Sequence, residues 1–382
     1  MLVRTFGCTR YVYNRALQDR IDSYRDRGVT LRYGDTAGAL IVWKGHPETR
    51  WLREVSSVPL QQSLRHLDRA FKNFFRGQAR FPRYKSRRAR QSAHYMRNAF
   101  SLKASDTRGQ PLVTLAKMAT PLRIRWSRRL PSEPSSLVLT KDGADRYFVS
   151  FRVEIKAQPL PGSDRAVGID VGLSDAVVTS DGEKYGNPRF LEQGLFRLRR
   201  EQRRLSRKKK ASWNYEKQRD RVARVHARIR DRRQDALHKL STRLIRENQT
   251  ICLETLRVRN MVKNRRLARA INDVAWSELV RQLTYKAAWH GRDLVRIDPW
   301  FPSTKTCSAC GRVTDSLPLA CRRWRCDGCG MIHDRDVNAA RNILAVGTTV
   351  MASGGRVRPE AEGARRRSNP FQLATTTEGF AR

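Results

Sequence analysis

Apolar positions recur with a helical period at the start of the chain and give way to short alternating runs further on. Phe6, Val12, Leu17 and Ile21 lean to one face, which predicts a helix over residues 2–27 stopped by Gly28. The next residues, with Gly34, Gly38, Gly45 and Pro47, predict a loose connection. Leu60, Leu64, Leu67, Phe71 and Phe74 then fall on one stripe of a 3.6-residue period. They predict an amphipathic helix with Pro59 in its first turn and Gly77 at its end. Large apolar side chains at that spacing are core far more often than a surface for stacking bases.

Between residues 112 and 155 the pattern changes to short, partly alternating runs at 112–115, 122–126, 137–140 and 147–155, with a turn at 141–143. They predict a small antiparallel β-unit, with Arg123, Arg125 and Arg128 on or near it. Residues 159–163, rich in Pro and Gly, predict a linker. Three further strands follow. The run at 165–172 carries Asp170 near its end, with Gly168 and Gly172 admitting close approach of backbone or ligand, and 175–179 is its hairpin partner. The run at 250–254 ends on Glu254, and that at 293–298 leads to the cysteine-rich stretch. A cation-lined helical pair is expected between the first two of these strands, a helix at 273–290 before the third, and a closing helix over 337–345.

Composition changes this picture in one respect. In 382 residues, 78 Lys and Arg face 36 Asp and Glu, a formal net charge of +42. Such an excess calls for a polyanion, and nucleic acid is the leading candidate. No apolar run approaches the ~20 residues of a spanning helix, the N-terminus lacks a secretory apolar region, and no membrane partner is expected. Seven cysteines, four in metal spacing, fit a reducing, cytoplasmic setting better than a disulfide scaffold. Residues 196–247 hold 20 Lys or Arg against 6 Asp or Glu, densest at Arg207, Lys208, Lys209 and Lys210. These four are candidate phosphate contacts, as are Arg83, Tyr84 and Lys85, where aromatics mix with cations, and Lys263, Arg265 and Arg266 in a basic stretch after Glu254.

The densest chemistry lies near the end. Cys307 and Cys310 form one Cys-x-x-Cys pair and Cys326 and Cys329 another, with fifteen residues between. That is the spacing of a four-thiolate structural zinc site. Cys321 is read as a hairpin thiol, Cys8 and Cys252 as buried packing residues, and His333 as a local hydrogen-bonding residue. Asp170, Glu254 and Asp336 each sit at the end of a predicted strand or the start of a helix. Folding can bring such acids together to hold two Mg²⁺ ions, whose chemistry suits hydrolysis of a phosphodiester. Asp334 competes with Asp336 for the third place.

The motif GIDVG at 168–172, the strand end at Leu253 and Glu254, and a ribbon running into HDRDVNAARNI at 333–343 resemble the TnpB (OrfB) proteins of small insertion sequences, relatives of the type V CRISPR effectors. RYVYN at 10–14, FFR at 74–76, FPRY at 81–84 and KNRRL at 263–267 also resemble family segments. The resemblance implies a multidomain α/β protein with a RuvC-like (RNase H-type) nuclease core and an inserted zinc ribbon. It implies a helical recognition lobe over 1–108, a small antiparallel β wedge unit over 109–160, a nuclease domain over 161–302 and 331–346 with a basic arm at 190–247, and a ribbon at 303–330. A disordered tail is expected over 347–382.

The same resemblance implies a guide RNA and a target DNA as partners, and it assigns catalysis to Asp170, Glu254 and Asp336, preferring Asp336 to Asp334 because it precedes Val-Asn-Ala. Base pairing with the guide would then supply most of the sequence specificity, and the protein would join the nucleoid when bound to DNA. Family members usually open with a wedge strand, whereas this sequence opens within the first helix, which predicts an unpaired sheet edge. A guide-directed regulator that does not cleave, a transposase accessory protein and a basic structural RNA-binding protein are the alternatives. The oligomeric state is left open.

Overall fold

The computed structural model describes residues 1–105, 109, 111–318 and 320–353. Two compact units divide the chain between Ile155 and Lys156.

The first unit opens with α1 (Leu2–Arg27), α2 (Tyr33–Gly45), a 3₁₀ segment (Pro47–Glu54) and α3 (Ser57–Phe75). Gly28 ends α1 in the left-handed conformation at φ 66°, and its N–H bonds back to the carbonyl of Tyr24. Ser56 caps α3 through its hydroxyl, which accepts from the Val58 N–H at 3.4 Å. The stripe Leu60, Leu64, Leu67 and Phe71 is buried against Val12, Leu17 and Leu52. The helix α2 stands where a loose connection was expected. Leu40 is buried in the same core and Tyr33, Ala37 and Trp43 pack around it, so burial outweighs the cost of Gly34 and Gly38 in a helix.

The strands of this unit also begin earlier than expected. They are β1 (Gln91–Met96), β2 (Phe100–Ser105), β3 (Pro111–Leu115), β4 (Ser136–Lys141) and β5 (Tyr147–Arg152). The order β1-β4-β5 is antiparallel throughout, and β2 pairs with β3. Strand structure therefore starts within the span 1–108 assigned to helices. In β1 only Ala93 and Tyr95 are buried, and the strand draws its ladder from β4, some forty residues on. A short, half-polar strand with a distant partner leaves little periodic signal. Residues 122–126 form no named strand; Leu122 makes a single bridge to Val113.

The second unit is built on a five-stranded sheet of β6 (Ala166–Asp170), β7 (Asp175–Thr179), β8 (Lys184–Gly186), β9 (Thr250–Glu254) and β10 (Asp293–Ile297), in the order β10-β9-β6-β7-β8. The pairs β10–β9 and β9–β6 are parallel, whereas β6–β7 and β7–β8 are antiparallel. Between β8 and β9 lies the basic helical pair, α4 (Phe190–Ser206) and α5 (Trp213–Glu247), with Leu198, Val225 and Ile229 packed between them. The helices α6 (Val258–Met261), α7 (Ala268–Val274) and α8 (Trp276–His290) follow β9, and the left-handed Ala275 at φ 58° divides the single helix expected over 273–290. After β10 come the ribbon strands β11 (Arg323–Arg325) and β12 (Ile332–Asp334), and then α9 (Arg335–Ala352). That helix extends past 347, into the expected tail, and the remainder of the tail from 354 lies outside the described residues. Among the described residues, no helix is long and apolar enough to cross a membrane.

Alternation along the strands sorts this unit's side chains into two layers. Val167, Ile169, Ile251 and Leu253 pack with Leu237, Leu244 and Ile245 of α5 and Leu279 and Leu283 of α8. The intervening residues face α9, where Cys252, Val295 and Ile297 form a core with Ile343. Two glycines let α9 lie against the sheet. A Cβ on Gly168 would stand 2.0 Å from the Ala340 carbonyl oxygen, and one on Gly347 would stand 2.3 Å from Cys252 Sγ. Of the two readings of Gly168 from sequence, close approach of backbone is the one observed. Gly168→Ala is expected to cost about 3 kcal/mol or more, because a helix backbone cannot retreat as a side chain can. Denaturant unfolding checks this.

Candidate functional site

The parity that buries Ile169 and Leu253 under α5 and α8 turns Asp170 and Glu254 to the α9 side of the sheet. Ile169 pairs with Leu253 in the parallel register of β6 and β9, so the two acids follow at neighbouring strand ends. Asp336 lies in the first turn of α9, which packs on β6, β9 and β10. The three converge closely enough to act on one another. Burial first, and then the negative charges of Glu254 and Asp336, push the Asp170 carboxyl up to about 7; the Val171 N–H and the Arg335 charge oppose this only in part.

Asp334, the competitor, is occupied elsewhere. Its carboxylate caps α9 by accepting from the Asp336 and Val337 N–H groups at 3.1 and 3.2 Å, and it accepts from Lys184 Nζ at 2.6 Å. Desolvation acts against its ionisation, but the Lys184 bond and the helix N–H groups outweigh it and hold the carboxyl below its ordinary range. Asp334 thus aims the helix start, while Asp336 faces the other two acids.

Residues not singled out in the sequence complete the arrangement. The buried Ser303 hydroxyl donates to the Glu254 carboxylate. Arg322 reaches Asp336 Oδ2 at 3.2 Å and Ser174 Oγ at 3.4 Å. Asn338 and Asn342, one turn apart on α9, clamp the first cysteine knuckle. Asn338 Nδ2 donates to the Thr306 carbonyl at 2.7 Å and its Oδ1 accepts from the Ser308 N–H at 2.9 Å. Asn342 Nδ2 donates to the Ser303 and Thr306 carbonyls at 2.8 and 2.6 Å. The i, i+4 spacing of two Asn on one helix face was the available signal.

Cys307, Cys310, Cys326 and Cys329 bring their sulfurs within 4.8 Å of one another. The Cys307–Cys329 and Cys310–Cys326 sulfur distances are 3.7 and 3.6 Å. Four thiolates about 2.3 Å from a tetrahedral zinc stand about 3.8 Å apart, close to these two distances, so the cluster fits a zinc ribbon. The Cys329 and Gly328 N–H groups draw the Cys326 thiol down to about 7, which favours a ligating thiolate. His333 is buried, with Nε2 3.0 Å from Cys307 Sγ and its ring against Trp324, a supporting position outside the four sulfurs. Cys321 stands apart from the sulfur cluster, its Sγ 3.1 Å from the Arg323 carbonyl. The acids are more widely spaced than the thiolates: among the described residues only the four cysteines gather three or more ligand atoms within 4.8 Å.

The candidate nucleic-acid residues divide. Arg207, Lys208, Lys209 and Lys210 are exposed in the turn between α4 and α5, and Lys263, Arg265 and Arg266 are exposed around α6 and α7. Arg83 is exposed, and Tyr84 is half exposed with its hydroxyl donating to Gln18. Lys85 is held within the fold. Its backbone exchanges two hydrogen bonds with Asn14, its ammonium lies 4.0 Å from the Tyr13 ring centroid, and burial lowers its pKa to about 8.

The fold has a solved counterpart. The chain shares its fold, at a TM-score of 0.55 and 12% identity, with the protein in a structure titled "Cryo-EM structure of the Cas12f1-sgRNA-target DNA complex", over 90% of this chain and 82% of that one. It is thus of that protein's fold class. Residues 150–265 match a family described as "Probable transposase" (OrfB of IS605), 276–343 match the Cas12f1-like TNB domain, and 1–28 match a helix-turn-helix domain of the same OrfB family. Two relatives carry the name "Putative RNA-guided DNA endonuclease". One, from Streptomyces pristinaespiralis, is 53% identical over 95% of this chain and 90% of its own length. The other, InsQ of Escherichia coli K12, is 33% identical over 93% and 90%. The chain belongs to the TnpB (OrfB) family of insertion-sequence-encoded RNA-guided nucleases.

Proposed function

We propose that this protein is an RNA-guided DNA endonuclease that hydrolyses phosphodiester bonds at Asp170, Glu254 and Asp336. The observation that carries the reading is the convergence of three acids at the α9 side of the sheet, where the Asp170 carboxyl rises to about 7 partly through its two acidic neighbours. A cluster of hard oxygen donors whose mutual repulsion disfavours ionisation is a fit for divalent cations. These three residues would hold two Mg²⁺, which when bound supply activation of the attacking water and stabilisation of the leaving oxygen. Ser303 orients the Glu254 carboxylate, and Asp334 sets where Asp336 begins its helix. Arg322 supplies a positive charge beside Asp336.

Cys307, Cys310, Cys326 and Cys329 would hold one structural zinc, which keeps the knuckle clamped by Asn338 and Asn342 in place. The guide RNA and target DNA meet a chain of +42 net charge, for which Arg83, Tyr84, Arg207, Lys208, Lys209, Lys210, Lys263, Arg265 and Arg266 are the proposed contacts. The unit Met1–Ile155 would serve as the recognition and wedge elements, and the five-stranded unit as the RuvC-like core.

Purifying the chain with its bound RNA, sequencing that RNA and offering a matching DNA target with Mg²⁺ tests the reading. Guide-like RNA and cut target are the expected result. Guide-like RNA with an intact target would favour a regulator that binds without cutting. Finding no specific RNA would remove both guided readings.

A further inference from the structure

One large aromatic side chain close to the acids is left in solvent by an ordered backbone. Trp300 lies three residues beyond the end of β10 and is 75% exposed. Its loop is held on both sides. The Trp300 N–H donates to Asp298 Oδ1 at 2.7 Å, and the adjacent Phe301 packs into the core with Cys252, Val295, Ile297 and Ile343. Ile297 pairs with Glu254, and Ser303, three residues past Trp300, donates to the Glu254 carboxylate. The indole therefore stands at the same strand ends as the acids.

One face of the indole is covered. The Arg257 guanidinium lies over the ring, 5.0 Å from its centroid, and Arg257 itself follows Glu254 by three residues. An arginine stacked in this way fixes the ring plane and adds positive charge beside it. The side chain stays largely in solvent with the arginine in place, and the exposed cations Lys263, Arg265 and Arg266 lie a few residues further along the same segment. A flat π-surface set among cations matches the base and phosphate of an unpaired nucleotide, because every base has a stacking face whatever its sequence. Double-stranded DNA offers no such face along its length.

We propose that Trp300, backed by Arg257, is a stacking platform that receives an unpaired base of the DNA strand being cut and registers its backbone against the carboxylates. The inference rests on the nuclease reading above and specifies one part of how that site takes its substrate. It is independent of sequence, so it adds affinity for any single strand and leaves target choice to the guide.

The test uses the full chain with its co-purified RNA and an Asp170→Ala background, so that the probe stays whole. The probe is a fluorescein-labelled thymidine octanucleotide carrying one 5-iodouracil. Binding is followed by anisotropy at about 0.3 M NaCl, where phosphate contacts across a basic surface are weakened and stacking persists. Trp300→Ala is expected to bind about tenfold more weakly than Trp300→Phe, which keeps a ring, and Trp300→Phe should stay near the parent. Photocrosslinks should map to Trp300. On a guided target in the otherwise intact protein, Trp300→Ala should raise KM for the cut strand and leave guide RNA binding unchanged.

Equal octanucleotide binding by the Ala and Phe variants, with crosslinks elsewhere, overturns the platform and leaves the nuclease reading standing. Trp300-dependent binding by a protein whose parent never cuts a guided target removes the nuclease reading and overturns the registering role with it, leaving only a single-strand binding surface. A variant equally impaired with Ala and with Phe, and altered in its circular dichroism, overturns the proposal by making Trp300 a structural residue.

Discussion

Asp170→Ala is expected to lower Mg²⁺-dependent cleavage of a guided target about a thousandfold or more, with bound RNA retained. A factor of that size corresponds to about 4 kcal/mol of barrier, within what divalent-ion catalysis contributes when its ligands are intact. Asp170 is the acid on which the other two charges act, so its loss removes the donor that Glu254 and Asp336 surround. It lies at a strand end on the α9 side, and truncation leaves the pairing of Ile169 with Leu253 untouched. Cleavage gels and RNA recovery from the purified variant measure the two properties separately.

The same residue carries a stability signature of known sign. In the folded chain its carboxyl titrates near 7, against an ordinary value of 3.8. The folded state therefore binds the proton more tightly than the unfolded chain. Native stability falls as pH rises from about 4 towards 7, and the full cost is present above that window. Without added Mg²⁺, Asp170→Asn should gain about 2 kcal/mol over the parent at pH 8 and progressively less as the pH falls to 5. Added Mg²⁺ should raise the parent's Tm and move the variant's much less. Thermal melts at the two pH values, with and without the ion, give both comparisons. A parent whose stability rises through this window relative to Asp170→Asn would contradict the convergence of the three acids.

Loss of zinc is the second change with a large expected effect. A Cys307→Ser, Cys310→Ser variant should contain no zinc where the parent contains about one per chain, and it should cut at least tenfold more slowly. The route from metal to acids is short. The knuckle at 306–308 is bonded to Asn338 and Asn342 of α9, Asn342 also holds the Ser303 carbonyl, and Ser303 donates to Glu254. On the other side of the ribbon, β12 pairs with β11 and runs directly into α9, which carries Asp336 in its first turn. Structural zinc contributes about 10–16 kcal/mol of binding free energy in small domains, and that energy is folding energy. Releasing it frees both the residue that orients Glu254 and the strand that delivers Asp336. Metal analysis, a melt and a cleavage assay on the same sample would decide the matter; normal cutting by a zinc-free variant would mean that the ribbon does not position the acids.

Much of the candidate site was legible because its signals are local. The Cys-x-x-Cys pairs place two thiolates on one tight turn wherever that turn lies in the fold, and their sulfurs gather as the spacing predicts. The apolar runs at 165–172 and 250–254 mark the ends at which Asp170 and Glu254 emerge. The misses have the opposite character. The helix α2 contains three glycines and reads in sequence as a loose connection, because the packing of Leu40 that sustains it is a tertiary fact. The strand β1 is half polar and acquires its structure from a distant partner. Lys85 looks like a phosphate contact beside Arg83 and Tyr84, yet it is stacked on Tyr13, a residue about seventy positions earlier.

The sequence by itself therefore determined which atoms could ligate a metal, which strand ends carry acids and how strongly the surface attracts a polyanion. Each of these follows from residue type and short spacing. Only the tertiary structure decided that Asp336 faces the other acids while Asp334 caps the helix. That choice depends on where α9 begins and how deeply it seats. Both are set by backbone contact at Gly168 and by the clamp of Asn338 and Asn342 on the cysteine knuckle. These contacts join segments that are remote in sequence. Two acids two residues apart on one short motif have the same local chemistry, and a difference between their surroundings exists only once the sheet, the helix and the ribbon are packed together.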